Sequence, residues 1–232
     1  MRSIFLTCPV EALMQGIYQA RTTMSELKRH GGFGIGTFNN LDGEMIVLDG
    51  DVYRADAKGR MHTVEDNVQT PFACVTHFNP DTSETISTPV PKDAFWKFLE
   101  KLVPSENMAY AFLIKGIFEL VHARSVPAQK DSRPLIEVTR NQTEFEFLNI
   151  KGVLLGFYTP SFIKSLVIPG FHLHFVDDQF NVGGHLLNCS LINAEIQVQH
   201  IPQIRVGLPM TLDFLTADLS GDVQDDIKEA ES

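Results

Sequence analysis

Three of the eight histidines fall within fourteen positions, in the segment FHLHFVDDQFNVGGHLL that contains His172, His174 and His185. Phe171, Leu173 and Phe175 interleave with the first pair, and such alternation is the signature of a β-strand, where residues i and i+2 share a face. His172 and His174 therefore point one way and the apolar residues the other. Asp177, Asp178 and Gln179 have turn character. With the turn residues at Asp178 and Gln179, His185 falls directly across from His172, and opposed residues of an antiparallel pair share a face. Three imidazoles then converge on one side of one hairpin. Gly183 and Gly184 leave room beside them or supply a bulge. Three neutral imidazoles suit zinc and related first-row divalent ions, and three protein ligands with a fourth position open is the pattern of a catalytic metal. His77 and His122 lie in apolar strand contexts and read as structural rather than ligating.

A metal on three histidines needs a proton donor and a group that orients an anion. Arg124, at the end of the apolar run AYAFLIKGIFELVHARSV, can grip a carboxylate with two parallel hydrogen bonds. Glu44, in DGEMIVLDG, enters an apolar strand, where burial favours the protonated form and suits acid–base work. Thr37 follows the glycine-rich strand GFGIGTF and offers a hydroxyl. That glycine segment lacks the Lys-Ser/Thr of a phosphate loop, so its glycines are read as permitting close backbone packing.

The elements that must position these groups follow from periodicity. Val10 to about His30 has helical spacing, with a break at Thr22–Thr23 and a stop at Gly31–Gly32. GEMIVLDGDVYRA predicts a hairpin turning at Asp49-Gly50-Asp51, Lys58-Gly59 a further turn, and PFACVTHF a strand. In KDAFWKFLEKL, Phe95, Phe98, Leu99 and Leu102 mark an amphipathic helix. The run after it is one bent strand or two, with Gly116 at the bend. Val126 to Asn141, with Pro127 and Pro134, is the best linker. TEFEFLNI, GVLLGFY, FHLHFV and LLNCSLINAEIQVQHI form a second run of strands, and Pro160-Ser161 starts a short helix. Strands in consecutive runs with few helices give an α+β class. The domain expectation is 1–130, carrying Glu44 and Arg124, and 131–232, carrying the histidines and an acidic tail.

Composition narrows the function. With 44% hydrophobic residues, the 232-residue chain buries a substantial core. A formal net charge of -10 repels phosphate backbones, which argues against nucleic acid as a partner. No segment approaches the about 18 consecutive apolar residues a membrane helix needs. The N-terminus lacks the pattern of a signal peptide. Cys8, Cys74 and Cys189 are odd in number and unpaired in spacing, which fits buried free thiols in a reducing, cytoplasmic setting.

Taken in order, GGFGIGTFNNLDGEMIVLDGDVYRA, TPFACVTHF, ARSVPAQ and GFHLHFVDDQFNVGGHLLNCSL resemble the α-acetolactate decarboxylase family over nearly the whole chain. The resemblance implies zinc on His172, His174 and His185, and active-site roles for Glu44, Arg124 and Thr37. It also implies a carboxylate from the C-terminal tail, assigned to Glu231 with Glu229 as the fallback. It further implies two similar interleaved α/β domains with mixed, largely antiparallel sheets, a homodimer, and conversion of (S)-2-acetolactate to (R)-acetoin and carbon dioxide without an organic cofactor. The competing resemblance of HLHFVDDQFNVGGHLL is to the metal site of the plants-and-prokaryotes-conserved domain, linked to DNA binding. That domain is about half as long and leaves the DGE and ARSVP segments unexplained.

Overall fold

The computed structural model describes residues 2–140 and 142–221. Two sheets packed face to face, each covered by a short helix on its outer side, form the frame of the site. The first half of the chain contributes β1 (Ser3–Leu6), α1 (Val10–Met14), β2 (Thr22–Thr23), α2 (Met24–Lys28), β3 (Phe33–Thr37), β4 (Glu44–Leu48), β5 (Asp51–Ala55), β6 (Met61–Thr63), β7 (Gln69–Thr70), β8 (Ala73–Thr76), β9 (Thr82–Ile86) and α3 (Phe95–Glu100). Then come β10 (Ala109–Ser125), α4 (Leu135–Thr139), β11 (Thr143–Thr159), β12 (Gly170–Asp177), β13 (Gly183–Ile201), β14 (Gln203–Val206) and α5 (Leu212–Thr216).

The first sheet has seven strands in the order β14-β1-β8-β3-β4-β5-β6, antiparallel except for β1 with β14. The second runs β10-β11-β12-β13-β9, and β10 also pairs with β13, so four strands close on themselves. This is the α+β, largely antiparallel architecture expected. The sheets are interleaved in sequence: β9 and β10 precede residue 130 yet belong with β11–β13, while β14 returns to β1. Residue 130 thus divides the sequence without dividing the sheets, and Arg124 stands in the same sheet as the histidines.

The alternation expected of the strands decides which face meets which. Ile46 and Leu48 join the core between the sheets, together with Ile35, Leu155 and Phe157. Met45 and Val47 pack outward with Met24 and Leu27 of α2. Leu173 and Phe175 pack outward from the second sheet with Phe95 and Leu99 of α3. Both are essentially inaccessible to solvent, and each such side chain contributes about 1.5–3 kcal/mol of burial. Slipping β12 by one residue would turn them toward the other sheet and put two imidazoles into the apolar cluster against α3 in their place.

Several local expectations change. The helix expected from Val10 to His30 is two short helices, because Thr22 and Thr23 pair with β7 and Thr23 then caps α2 by accepting from the Glu26 amide. The run from Ala109 is one strand, and its register shifts lie between Ile117 and Ala123 rather than at Gly116. TEFEFLNI and GVLLGFY are likewise one strand, passing through Asn149 at φ 50°. The presumed linker holds α4, whose Leu135 and Val138 are buried. The hairpin between β4 and β5 turns on Asp49 and Gly50 alone, both at positive φ, as a two-residue turn requires. Gly36 allows the close approach of β8, since a Cβ there would lie 2.5 Å from the Phe72 carbonyl oxygen.

Candidate functional site

The inward faces of β3, β4, β10, β12 and β13 meet in one pocket. His172, His174, His185, Arg124, Glu44 and Thr37 all line it. The two sheets divide the work. The second supplies the imidazoles and the guanidinium; the first supplies the carboxylate and the hydroxyl.

The register of the histidine hairpin differs from expectation. His185 pairs with His174, not with His172. The loop spans four residues, Asp178–Asn181, because the Asp177 carboxylate accepts from the amides of Asn181 at 2.6 Å and Val182 at 2.7 Å. The register moves by two residues, which is one full strand period, so all three imidazoles still share a face. Their ring centroids are 4.9 to 5.4 Å apart, and one nitrogen from each lies within 4.8 Å of the others.

The donor set fits a divalent cation. His174 Nδ1 donates to the Met45 carbonyl at 2.8 Å. A carbonyl can only accept, so the proton sits on Nδ1 and the Nε2 lone pair is left aimed into the pocket. That buried Nε2 has no hydrogen-bond partner among the described residues, and a backbone carbonyl behind a ligating imidazole is the usual orienting contact. His174 and His185 are buried and His172 is partly exposed. Burial first, and then the Arg124 charge, push His172 down to about 3; burial likewise holds His174 and His185 well below the ordinary histidine value. All three are therefore neutral and able to ligate near neutral pH.

Around the triad, Arg124 is 4% exposed and pairs in register with His185 on one side and Glu144 on the other. Glu44, 8% exposed, brings a carboxylate oxygen to 3.6 Å from His174 Nε2. Thr37 is the direct cross-strand partner of Glu44, and its hydroxyl donates to the Gly43 carbonyl at 2.8 Å, so its oxygen remains able to accept. His122 instead contacts Glu144 at 2.8 Å, and His77 lines a separate surface cleft beside Gly32 and Gly50. Glu229 and Glu231 lie outside the described residues. Sequence reasoning missed the Met45 carbonyl, which no side-chain pattern reveals, and the apolar wall that includes Leu135, Thr139 and Ile168. The proline-flanked spacing of Leu135 and Thr139 was the available signal for the wall. Cys8, Cys74 and Cys189 are buried free thiols, as expected.

Fold and pocket together define an enzyme built around a buried histidine triad between two β-sheets. The family profile described as alpha-acetolactate decarboxylase matches residues 4–221. The alpha-acetolactate decarboxylase of Brevibacillus brevis is 40% identical over 230 residues, covering 99% of this chain and 81% of that protein. That of Methylococcus capsulatus is 39% identical, covering 99% and 88%. The crystal structure of alpha-acetolactate decarboxylase from Bacillus subtilis strain 168 superposes with a TM-score of 0.95 at 34% identity, covering 99% of each chain. This chain belongs to the alpha-acetolactate decarboxylase family, enzymes of the carboxy-lyase type.

Proposed function

We propose that this chain converts (S)-2-acetolactate to (R)-acetoin and carbon dioxide, with His172, His174 and His185 holding one divalent ion, zinc foremost. The observation that carries the reading is the convergence of Arg124, Glu44 and the triad in one small pocket. When bound, the ion supplies Lewis acidity toward the keto and hydroxyl oxygens of the substrate.

The protein groups do the rest. Arg124 grips the carboxylate with its planar fork and holds the bond to be broken. As carbon dioxide leaves, the electrons of that bond pass into the carbon–carbon bond beside it, and negative charge develops on the former keto oxygen. Glu44, in its protonated form, delivers a proton to the carbon that lost the carboxylate, on one face only, which sets the handedness of the product. Thr37, opposite Glu44, orients it. Glu231, with Glu229 as the second choice, is proposed as a further carboxylate on the family resemblance. A homodimer and a cytoplasmic setting belong to the same proposal; among the described residues no helix is long and apolar enough to cross a membrane. A noncatalytic metal- or DNA-binding module would leave Glu44 and Thr37 in the pocket without a task.

The test combines metal analysis with chiral detection of acetoin. The purified protein is expected to hold about one divalent ion per chain and to release (R)-acetoin from (S)-2-acetolactate. A His172→Ala/His174→Ala double variant is expected to lose both the ion and the activity. Full occupancy in that variant would sink the ligand assignment, and absence of acetoin from the metal-loaded wild type would sink the reaction.

A further inference from the structure

The pocket has two chemically different halves. Besides the triad, Arg124, Glu44 and Thr37, the lining has an apolar wall that includes Leu13, Leu41, Phe72, Leu135 and Ile168. A hydroxy-keto acid whose oxygens face the polar half must turn its alkyl groups to this wall. α4 lends the wall two side chains, Leu135 and Thr139, where α1 lends one. They are four residues apart and so lie on one side of the helix, while Val138 turns into the core at 2% exposure. The Thr139 hydroxyl donates to the Ile136 carbonyl at 3.2 Å, which occupies its proton within the helix.

A five-residue helix cannot hold itself in water, and α4 is anchored through the residues just ahead of its first turn. The Tyr18 hydroxyl donates to the Arg133 carbonyl at 2.7 Å, just ahead of the helix. Gly16 packs against the same carbonyl, where a Cβ would lie 2.9 Å from the oxygen. Neither anchor involves the triad, Arg124 or Glu44. The depth of the wall is therefore set independently of the polar chemistry.

We propose that α4 is the size gauge of the pocket: Leu135 sets the largest alkyl group accepted at the carbinol carbon of a 2-hydroxy-3-oxo acid. The gauge rests on the decarboxylase reading, and two readouts separate them. The first is kcat/KM for the 2-methyl, 2-ethyl and 2-propyl substrates. The second is the Kd of two unreactive acids, 2-hydroxy-2-methylpropanoate and 2-hydroxy-2-propylpentanoate, on the metal-loaded protein.

In Leu135→Ala, both ratios are expected to move toward the longer chain by at least about tenfold, the scale on which an apolar pocket discriminates one methylene. Leu135→Val removes only one carbon and is expected to move them the same way by a smaller factor, which keeps the test open if the alanine variant does not fold. Ratios unchanged in a folded, metal-loaded Leu135→Ala or Leu135→Val protein overturn the gauge. A wild type that decarboxylates none of the substrates, with variants whose Kd ratio still shifts, overturns the reaction and leaves the gauge standing.

Discussion

Without a bound ion, the triad carries a cost that appears as the pH falls. In the metal-free protein His172 is held at about 3, against 6.5 for an ordinary histidine. The unfolded chain binds a proton at His172 below pH 6.5, and the folded chain does not until the pH nears 3. Stability from this group is therefore fully present above pH 6.5 and is lost as the pH falls from 6.5 toward 3. At pH 5 the loss is about 2 kcal/mol from His172 alone, an upper value because the ring is partly exposed. His174 and His185 act in the same direction. A loss of this kind is large against a total stability of about 5–15 kcal/mol. The assay is urea unfolding of the metal-free protein at intervals between pH 4.5 and 7.5, compared with His172→Gln. Below about pH 6 the wild-type stability is expected to fall more steeply than that of the variant, by an amount approaching about 1.4 kcal/mol per pH unit, one proton's worth, while above pH 7 the two profiles run parallel. Adding zinc should raise stability most at the upper end, because protons compete for the same nitrogens. Parallel pH profiles for the two metal-free proteins throughout the interval would refute the reasoning, since the triad would then be solvated and not held neutral by the fold.

Two further outcomes follow from the pocket. Arg124→Lys should keep the metal and lower kcat/KM by about 10- to 100-fold, since a point charge cannot replace the planar two-pronged grip and a charge-assisted hydrogen bond is worth about 1.5–3 kcal/mol; unchanged kinetics would place the carboxylate elsewhere. Deleting residues from Ile227 onward should leave a folded, metal-loaded protein with much reduced decarboxylation, and Glu231→Gln should reproduce most of that loss, with Glu229→Gln reproducing little; full turnover of the truncated enzyme with unchanged product handedness would leave Glu44 as the sole proton donor.

The sequence by itself determined the strand character of the histidine segment and the shared face of His172 and His174, because alternation with Leu173 and Phe175 leaves the segment one stable way to lie. It also carried the family resemblance and the place of the β4–β5 turn at Asp49-Gly50-Asp51, although Asp51 proved to belong to the strand. Where strand periodicity was interrupted by a local contact, it misled: the Asp177 carboxylate closes a longer loop than the turn residues implied, and the pairing moved from His172 to His174. The pleat has a period of two, so a shift of two residues left the triad intact, and the functional expectation survived a wrong register. What only the tertiary structure decided is the meeting of the two sheets. Glu44 is 128 residues from His172, and no local propensity relates them. Their proximity comes from packing one sheet on the other through Ile46, Leu155 and Phe157. The same packing sets the Met45 carbonyl behind His174 and turns a proline-flanked connector into the wall of the pocket. Side-chain periodicity encodes which face of an element is buried; which two buried faces share a pocket is a property of the assembled core.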